Sequence, residues 1–453
     1  MNASAKKKAR DIVDLTNPEH FINRELSLLE FNRRVLAQAK VKSNPLLERL
    51  FFLCIASSNI DEFFEIRVAG LKQQLAFGST QSGPDNMSPS ELLQRISATA
   101  HEIVEEQYGV LNEEVLPALK KEGIHCLDRN KWTQKQQKWI KGYFNRELLP
   151  ILSPVGLDPA HPFPQVLNKS LNFIISLEGK DAFGRNSGIA IVQAPRALPR
   201  LVQLPQSCSS HPYDFVFLSS IIHNHADDLF PGMKVTGCYQ FRITRNSDLL
   251  VSEEEVGDLM RALEGKLPLR RFAEAVRLEV LNNCPQEMID YLTHQFNLQQ
   301  NDVYQVNGPV NLNRLMEISQ IVKRPDLKYP DFTPGVKNRL LKSNDIFKSI
   351  KKGDILLHHP YQSFNTVVDF VRQAAIDTNV LAIKQTLYRT EDDSSIVDAL
   401  IKAAQEGKEV TVVIELRARF DEEENIELAH ELQAAGAHVS FGVVGHKTHA
   451  KMS

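Results

Sequence analysis

Residues 380–416 read VLAIKQTLYRTEDDSSIVDALIKAAQEGKEVTVVIEL. VLAIKQTLY reads as a strand, SSIVDALIKAAQEGKEV as a helix closed by Gly407, and VTVVIEL as a second strand. Glycine closes helices because it enters the left-handed region without a Cβ penalty. Strand, helix and strand at this spacing call for a parallel βαβ unit. The rhythm continues on both sides. Downstream, DEEENIELAHELQAAG is a helix opened by acids and closed by Gly436, the polarity the helix dipole favours. HVSFGVV then reads as another strand. Upstream, DILLHH reads as a short strand and SFNTVVDFVRQAAID as a helix. Residues 332–453 are therefore expected to be an α/β domain with parallel strands, entered through the linker YPDFTPGVKNRLLKS.

Residues 123–331 have a different texture. LSPVGLDPAHPFPQ is turn-rich, and LNFIISLEG, GIAIVQ, CYQFRIT and AVRLEV are strand candidates. EEEVGDLMRALEG and PQEMIDYLTHQFNL are helical, which makes this an α+β middle domain. Residues 19–122 read as an all-α domain. Ile22, Leu26, Leu29 and Leu36 fall near one helical stripe, and Asn44-Pro45 reads as a cap followed by proline at a helix start. Asn59 stands three residues before Glu62, the spacing of a capping box opening FFEIRVAGLKQQL. Residues 1–18 read as a flexible start.

The chain has 453 residues, 42% hydrophobic and 24% charged, with formal net charge -3. No global basic field recruits nucleic acid, so any anion site must be a local cluster. Five widely spaced cysteines without a CxxC point to a reducing compartment. The basic start lacks the apolar region of a secretory signal, and LERLFFLCIA is too short to span a bilayer. Peripheral membrane contact stays open.

Ligands of open α/β sheets bind beyond the carboxyl ends of the parallel strands. Arg389 follows the first strand of the opening stretch, Arg419 follows the second, and GHKTHAK follows the third. His358 and His359 follow DILL. Two guanidinium forks suit phosphate or carboxylate oxygens, and Lys447 and Lys451 add point charges. His449 and Lys451 form an H-x-K pair whose side chains would share a face in a strand. A neutral imidazole is a usable nucleophile near pH 7, and attack on a terminal phosphoryl group would give a phosphohistidine. Each piece also has a plainer reading. Arg389 reads equally as an ion-pair partner of Glu391, Asp392 or Asp393, Arg419 as one for the DEEE run, and His358-His359 as turn residues before Pro360. His446 and His449 lack a nearby Cys or carboxylate to complete a zinc set. No P-loop, GxGxxG or GxSxG motif is present.

Together NRELSLLEFNRRVL, SNPLLERLFFLCIASSNIDEFFEIRV, LLHHPYQSF, VLAIKQTLYRT, VVIELRARFDEEENI and GHKTHAKMS resemble the polyphosphate kinases built on phospholipase-D-like domains. The resemblance runs from about residue 19 to the last residue, and ELRARFDEE with KTHAK is its most specific part. It implies a helical N-terminal domain, a middle head domain and phospholipase-D-like catalytic domains, here one incomplete. The implied activity is reversible transfer of the terminal phosphoryl of ATP to inorganic polyphosphate, releasing ADP, with magnesium. His449 is implied as the phosphorylated residue, Asn59 as an ATP contact, and Arg389 and Arg419 as magnesium-site residues. A guanidinium has no lone pair for a cation, so the two arginines are expected to hold phosphate beside a phosphate-bound magnesium. Lys447 and Lys451 would neutralise the travelling charge. The resemblance also implies a cytoplasmic homodimer, at the inner face of a bacterial membrane. Because the family extends through a second such domain carrying an assisting histidine, this chain is expected to be a fragment that does not turn over alone. A phospholipase-D-like phosphodiesterase or nuclease, and a non-catalytic binding or dimerisation fragment, are the rival readings.

Overall fold

The computed structural model describes residues 14, 16–157, 163–180, 188–247, 259–337, 345–389, 394–442 and 446–453. The chain divides into two compact units, one of residues 1–248 with 271–329, the other of residues 249–270 with 330–453. The fold is an all-α N-terminal region, an α+β middle region and a C-terminal α/β region with parallel strands.

The first unit begins with the Arg24–Lys40 helix, capped by Asn23, whose Oδ1 accepts the Glu25 and Leu26 N–H groups at 2.9 and 3.2 Å. Leu29 and Leu36 are buried as their spacing predicts. Ile22 departs from that stripe: it precedes the cap and is 85% exposed. The Leu46–Phe63 helix continues through a π-helical turn, Phe64–Val68, into the Ala69–Ala76 helix. The capping reading of Asn59 is thereby corrected. Asn59 lies inside this helix, because the Phe64 N–H still reaches the Ile60 and Asp61 carbonyls and no helix end occurs there. The Pro89–Gly109 helix starts from Ser88, whose hydroxyl accepts the Glu91 N–H.

The middle region supplies strands β1 (Ile124–Cys126), β2 (Pro154–Gly156), β3 (Asn172–Gly179), β4 (Ile189–Gln193), β5 (Leu201–Gln203), β6 (Tyr213–Phe217), β7 (Met233–Arg245), β8 (Ala275–Leu281) and β9 (Val303–Val306). One sheet has order β2-β4-β3-β7-β8-β9, antiparallel except for β8–β9; a smaller one has order β1-β6-β5. Both faces of the larger sheet are covered, and the period of two sorts its side chains. Ile174, Ile191, Phe241, Ile243, Leu278 and Val280 pack with Met288, Ile289 and Leu292 of the Gln286–Gln295 helix. Phe173, Ile175 and Val192 face the other way and join the core of the N-terminal helices.

That second face also carries charge. Arg242, Arg277 and Glu279 are buried there with Asp61. Arg242 Nη1 and Nη2 donate to Asp61 at 2.7 and 2.9 Å, and Arg242 Nε and Arg277 Nη2 donate to Glu279 at 2.6 and 2.9 Å. Arg277 also pairs with Asp61. Two cations and two anions close a neutral group, the condition under which buried ions are tolerated.

In the second unit, β10 (Ala382–Leu387), β11 (Glu409–Ile414) and β12 (His438–Ser440) form a parallel sheet in that order. Val371, Leu400 and Leu432 of the Asn365–Ile376, Ser395–Gln405 and Glu422–Ala434 helices share its core with Val412 and Ile414. Segment 249–270 contributes the Leu259–Lys266 helix, where Leu263 packs with Leu416 and Ile426. His430 Nε2 lies 3.2 Å from Glu264, and Arg270 pairs with Glu422 at 3.0 Å.

DILLHH is not a strand. Residues 354–358 make no ladder, and His358–Gln362 closes as a turn: the Gln362 N–H donates to the His358 carbonyl at 2.8 Å, and Gln362 Oε1 accepts the His358 N–H at 2.8 Å. The pair His358-His359 therefore takes the turn reading. No helix among the described residues is long and apolar enough to cross a membrane.

Candidate functional site

The site is assembled where β10 and β11 end. Tyr388 and Arg389 directly follow β10, and residues 415–421 link β11 to the Glu422–Ala434 helix. Asn425, in the first turn of that helix and 1% exposed, binds both strand ends. Its Nδ2 donates to the Tyr388 carbonyl at 2.9 Å and to the Glu415 carbonyl at 2.8 Å. The ends of β10 and β11 are thus tied together by one amide.

Glu415 anchors the histidine–lysine segment. The buried carboxylate accepts the Thr448 N–H at 2.6 Å with Oε2 and the Arg417 N–H at 3.0 Å with Oε1. The end of the segment lies along β10: the Thr386 N–H donates to the Met452 carbonyl at 2.9 Å, and Thr386 Oγ1 donates to the Ala450 carbonyl at 2.8 Å. Residues 449–453 are nevertheless not a strand, so the face shared by His449 and Lys451 does not come from strand pleating. These main-chain bonds and the Tyr388 ring place them instead.

Tyr388 is the hub. The His449 ring meets it edge-on, with centroids 5.0 Å apart and planes at 89°. Lys451 Nζ lies 4.3 Å, Lys447 Nζ 5.3 Å and the Arg389 guanidinium carbon 5.6 Å from the ring centroid. These are cation–π distances, and the ring gathers three cations that would otherwise repel one another. Arg389 Nε also pairs with Asp421 Oδ2 at 2.6 Å, and Nη2 donates to the Arg419 carbonyl at 2.9 Å. Glu391, Asp392 and Asp393, its partners by sequence proximity, lie outside the described residues. Arg419 is half-buried on the same linker. Lys447 Nζ donates to the Arg417 carbonyl at 3.1 Å, and Lys451 Nζ to the His449 carbonyl at 2.8 Å. His449 is exposed.

An exposed imidazole ringed by lysines and an arginine is suited to receive an anionic electrophile. It is not suited to ligate magnesium, which takes oxygen ligands. Asp421 Oδ2 is engaged by Arg389, and each Glu415 oxygen accepts a main-chain N–H group.

Asn59 lies in the first unit, half-buried, with its Nδ2 3.2 Å from Asn32 Oδ1. In that unit His125, His211 and Asp214 bring ligand atoms within 4.8 Å of one another. The two imidazoles stack with centroids 3.6 Å apart and planes at 9°, so one ion cannot lie in both ring planes. Sequence reasoning missed Tyr388, Glu415, Asp421 and Asn425. Tyr388 had a local signal, an aromatic at a strand end beside an arginine. Asn425, inside an acidic helix start, had none.

Three family models match the chain: the polyphosphate kinase N-terminal domain over residues 21–127, the middle domain over 135–318 and C-terminal domain 1 over 345–453. A polyphosphate kinase of Pseudomonas aeruginosa is 57% identical over 432 residues, covering 95% of this chain and 63% of that protein. One of Neisseria meningitidis is 55% identical over 430 residues, with 95% and 63% covered. The crystal structure of polyphosphate kinase from Porphyromonas gingivalis aligns with TM-score 0.78 at 28% identity, over 95% of this chain and 60% of that one. The chain thus spans about three fifths of the length of these relatives.

Proposed function

The chain belongs to the polyphosphate kinase family, and on that premise we propose that it carries the phosphoryl-accepting site for reversible transfer between ATP and inorganic polyphosphate. The observation that carries this reading is the Tyr388 hub, which sets His449 among Lys447, Lys451 and Arg389. A nitrogen of His449 attacks the γ-phosphorus of ATP. The new N–P bond forms as the bond to the ADP oxygen breaks. A terminal oxygen of polyphosphate then attacks the same phosphorus and the N–P bond breaks, lengthening the chain by one phosphate. Lys447 and Lys451 meet the charge of the transferring group, the largest demand in a phosphoryl transfer. Arg389 and Arg419 hold phosphate oxygens with their planar forks. Magnesium, bound to the nucleotide phosphates, enters as part of the substrate. Asn59 is assigned to ATP through the family likeness, and its half-buried amide leaves edge area for a base. A cytoplasmic homodimer at the inner membrane face completes the reading, with sedimentation of the purified protein as its first check.

Incubation with ATP labelled at the γ-phosphate tests the assignment. Acid-labile label is expected on His449 and is expected to vanish in His449→Ala. Label retained by a folded His449→Ala would refute it, as would no label on a folded chain extended to the length of its relatives.

A further inference from the structure

A second cationic pocket lies in the first unit, between the turn before β3, the start of β5 and residues 309–315. Lys169, Arg200, Ser219, Gln240, Asn311 and Arg314 supply its polar lining. Arg200 is the unusual member. It is 9% exposed, its Nη2 makes a 3.3 Å bond to the Ala194 carbonyl, and its Nη1 has no hydrogen-bond partner although it is buried. A buried guanidinium N–H without an acceptor is costly and rare. The charges around it do not relieve the cost. Burial and then the like charge of Arg314 pull the Arg200 guanidinium down to about 10; Glu317 works the other way and Arg196 adds to the lowering. Lys169 is bound to Glu65 at 2.8 Å, an ion pair that holds it at the pocket rim. Lys169 also has a φ of +55°, an uncommon conformation for a side-chain-bearing residue, fixed by its N–H bond to the Ile243 carbonyl at 2.7 Å.

We propose that this pocket is a phosphate-binding site, in which the Arg200 Nη1 face, Arg314 and Lys169 take the oxygens of a phosphate group. A tetrahedral oxyanion supplies the acceptor that Nη1 lacks and the negative charge that Arg200 and Arg314 together want. The Asn311 Oδ1 atom also lacks a partner, and turning that amide over presents N–H groups to the same oxyanion. The site is separate from the histidine cluster in sequence and in unit, and its occupancy does not depend on a phosphohistidine.

The test is calorimetric titration of the full 453-residue chain with pyrophosphate and with ADP, in chelator, at fixed ionic strength. An Arg389→Gln/Arg419→Gln background removes the phosphate holders of the second unit. Pyrophosphate binding is expected to remain in that background and to weaken about tenfold or more on adding Arg200→Met or Arg314→Gln. Arg200→Met is further expected to raise the melting temperature without ligand, since it removes an incompletely paired buried charge, and to abolish the ligand-induced rise. Arg314 is exposed, so its variant decides the matter if Arg200→Met does not fold. ADP weakened in parallel assigns the site to a nucleotide phosphate; pyrophosphate weakened alone assigns it to inorganic phosphate chains. Absence of pyrophosphate binding in the background, or binding unchanged by Arg314→Gln and by any folded Arg200→Met, overturns the proposal.

Discussion

Asn425 shows how one amide organises the candidate site. Its two N–H groups hold carbonyls of adjacent strand ends, so Tyr388 on one linker and Glu415 on the other keep a fixed spacing. Tyr388 gathers the cations and Glu415 anchors the segment carrying His449. Asn425→Ala removes one buried and one part-buried hydrogen bond and leaves two carbonyls without that donor, a loss of about 2–3 kcal/mol. Thermal melts are expected to show that loss, and γ-phosphate labelling of His449 is expected to slow with it. An unchanged labelling rate in a destabilised variant would separate Asn425 from the site. Asp421 is a different kind of partner: its pair with Arg389 is largely exposed, so it aims the guanidinium more than it stabilises the fold.

At the scale of elements, the alternation of β7 and β8 does two things at once. Phe241, Ile243, Leu278 and Val280 face one apolar layer, while Arg242, Arg277 and Glu279 turn toward the Leu46–Phe63 helix and meet Asp61. Burial works to raise the Asp61 carboxyl, but Arg242 and Arg277 outweigh it and hold Asp61 below the usual carboxylate range. A folded-state value below the unfolded one contributes stability that is present above about pH 4 and is lost as pH falls through the folded value. Asp61→Asn is expected to cost about 3–5 kcal/mol at pH 7, the cost of unpairing buried charge. It should also flatten the decline in melting temperature below about pH 4. An equal acid decline in the variant would place the acid-labile group elsewhere. The linker after β12 makes a second case. Gly442 has φ +83°, and a Cβ there would overlap Thr448 Oγ1. Gly442→Ala is expected to cost about 1–3 kcal/mol and to impair labelling of His449, while Gly407→Ala, with a similar φ but open space around it, should cost stability alone.

For the whole molecule, the consequence is two bodies with separate cores. The N-terminal helices and the six-stranded sheet share one unit, and the parallel sheet with its helices forms the other. Chains built this way depart from single-step unfolding. Scanning calorimetry is expected to resolve two transitions, with Asp61→Asn shifting one and Gly442→Ala the other. A single transition moved by both variants would mean that the bodies unfold together.

The sequence by itself determined the elements and their class. Alternation in LNFIISLEG and CYQFRIT, glycine closure at Gly407 and Gly436, and the strand–helix rhythm after residue 360 are local properties of the chain, readable because backbone geometry imposes periods of two and 3.6. They also pointed to one sheet edge for Arg389 and the GHKTHAK segment, since parallel connections send consecutive strand ends the same way. Tertiary structure decided what locality cannot carry. Asn59 has a cap's spacing, yet it is helix interior, because the helix runs on through a π-helical turn packed beside Arg242 and Arg277. DILLHH has a strand's composition but no ladder partner among the described residues. Arg389 found Asp421, about thirty residues on, and the pairing of Asp61 with Arg242 spans 181 positions. Short-range patterns are written in side-chain order. Partners brought together by a closed core depend on the packing of many residues at once, and no stretch of sequence states them alone.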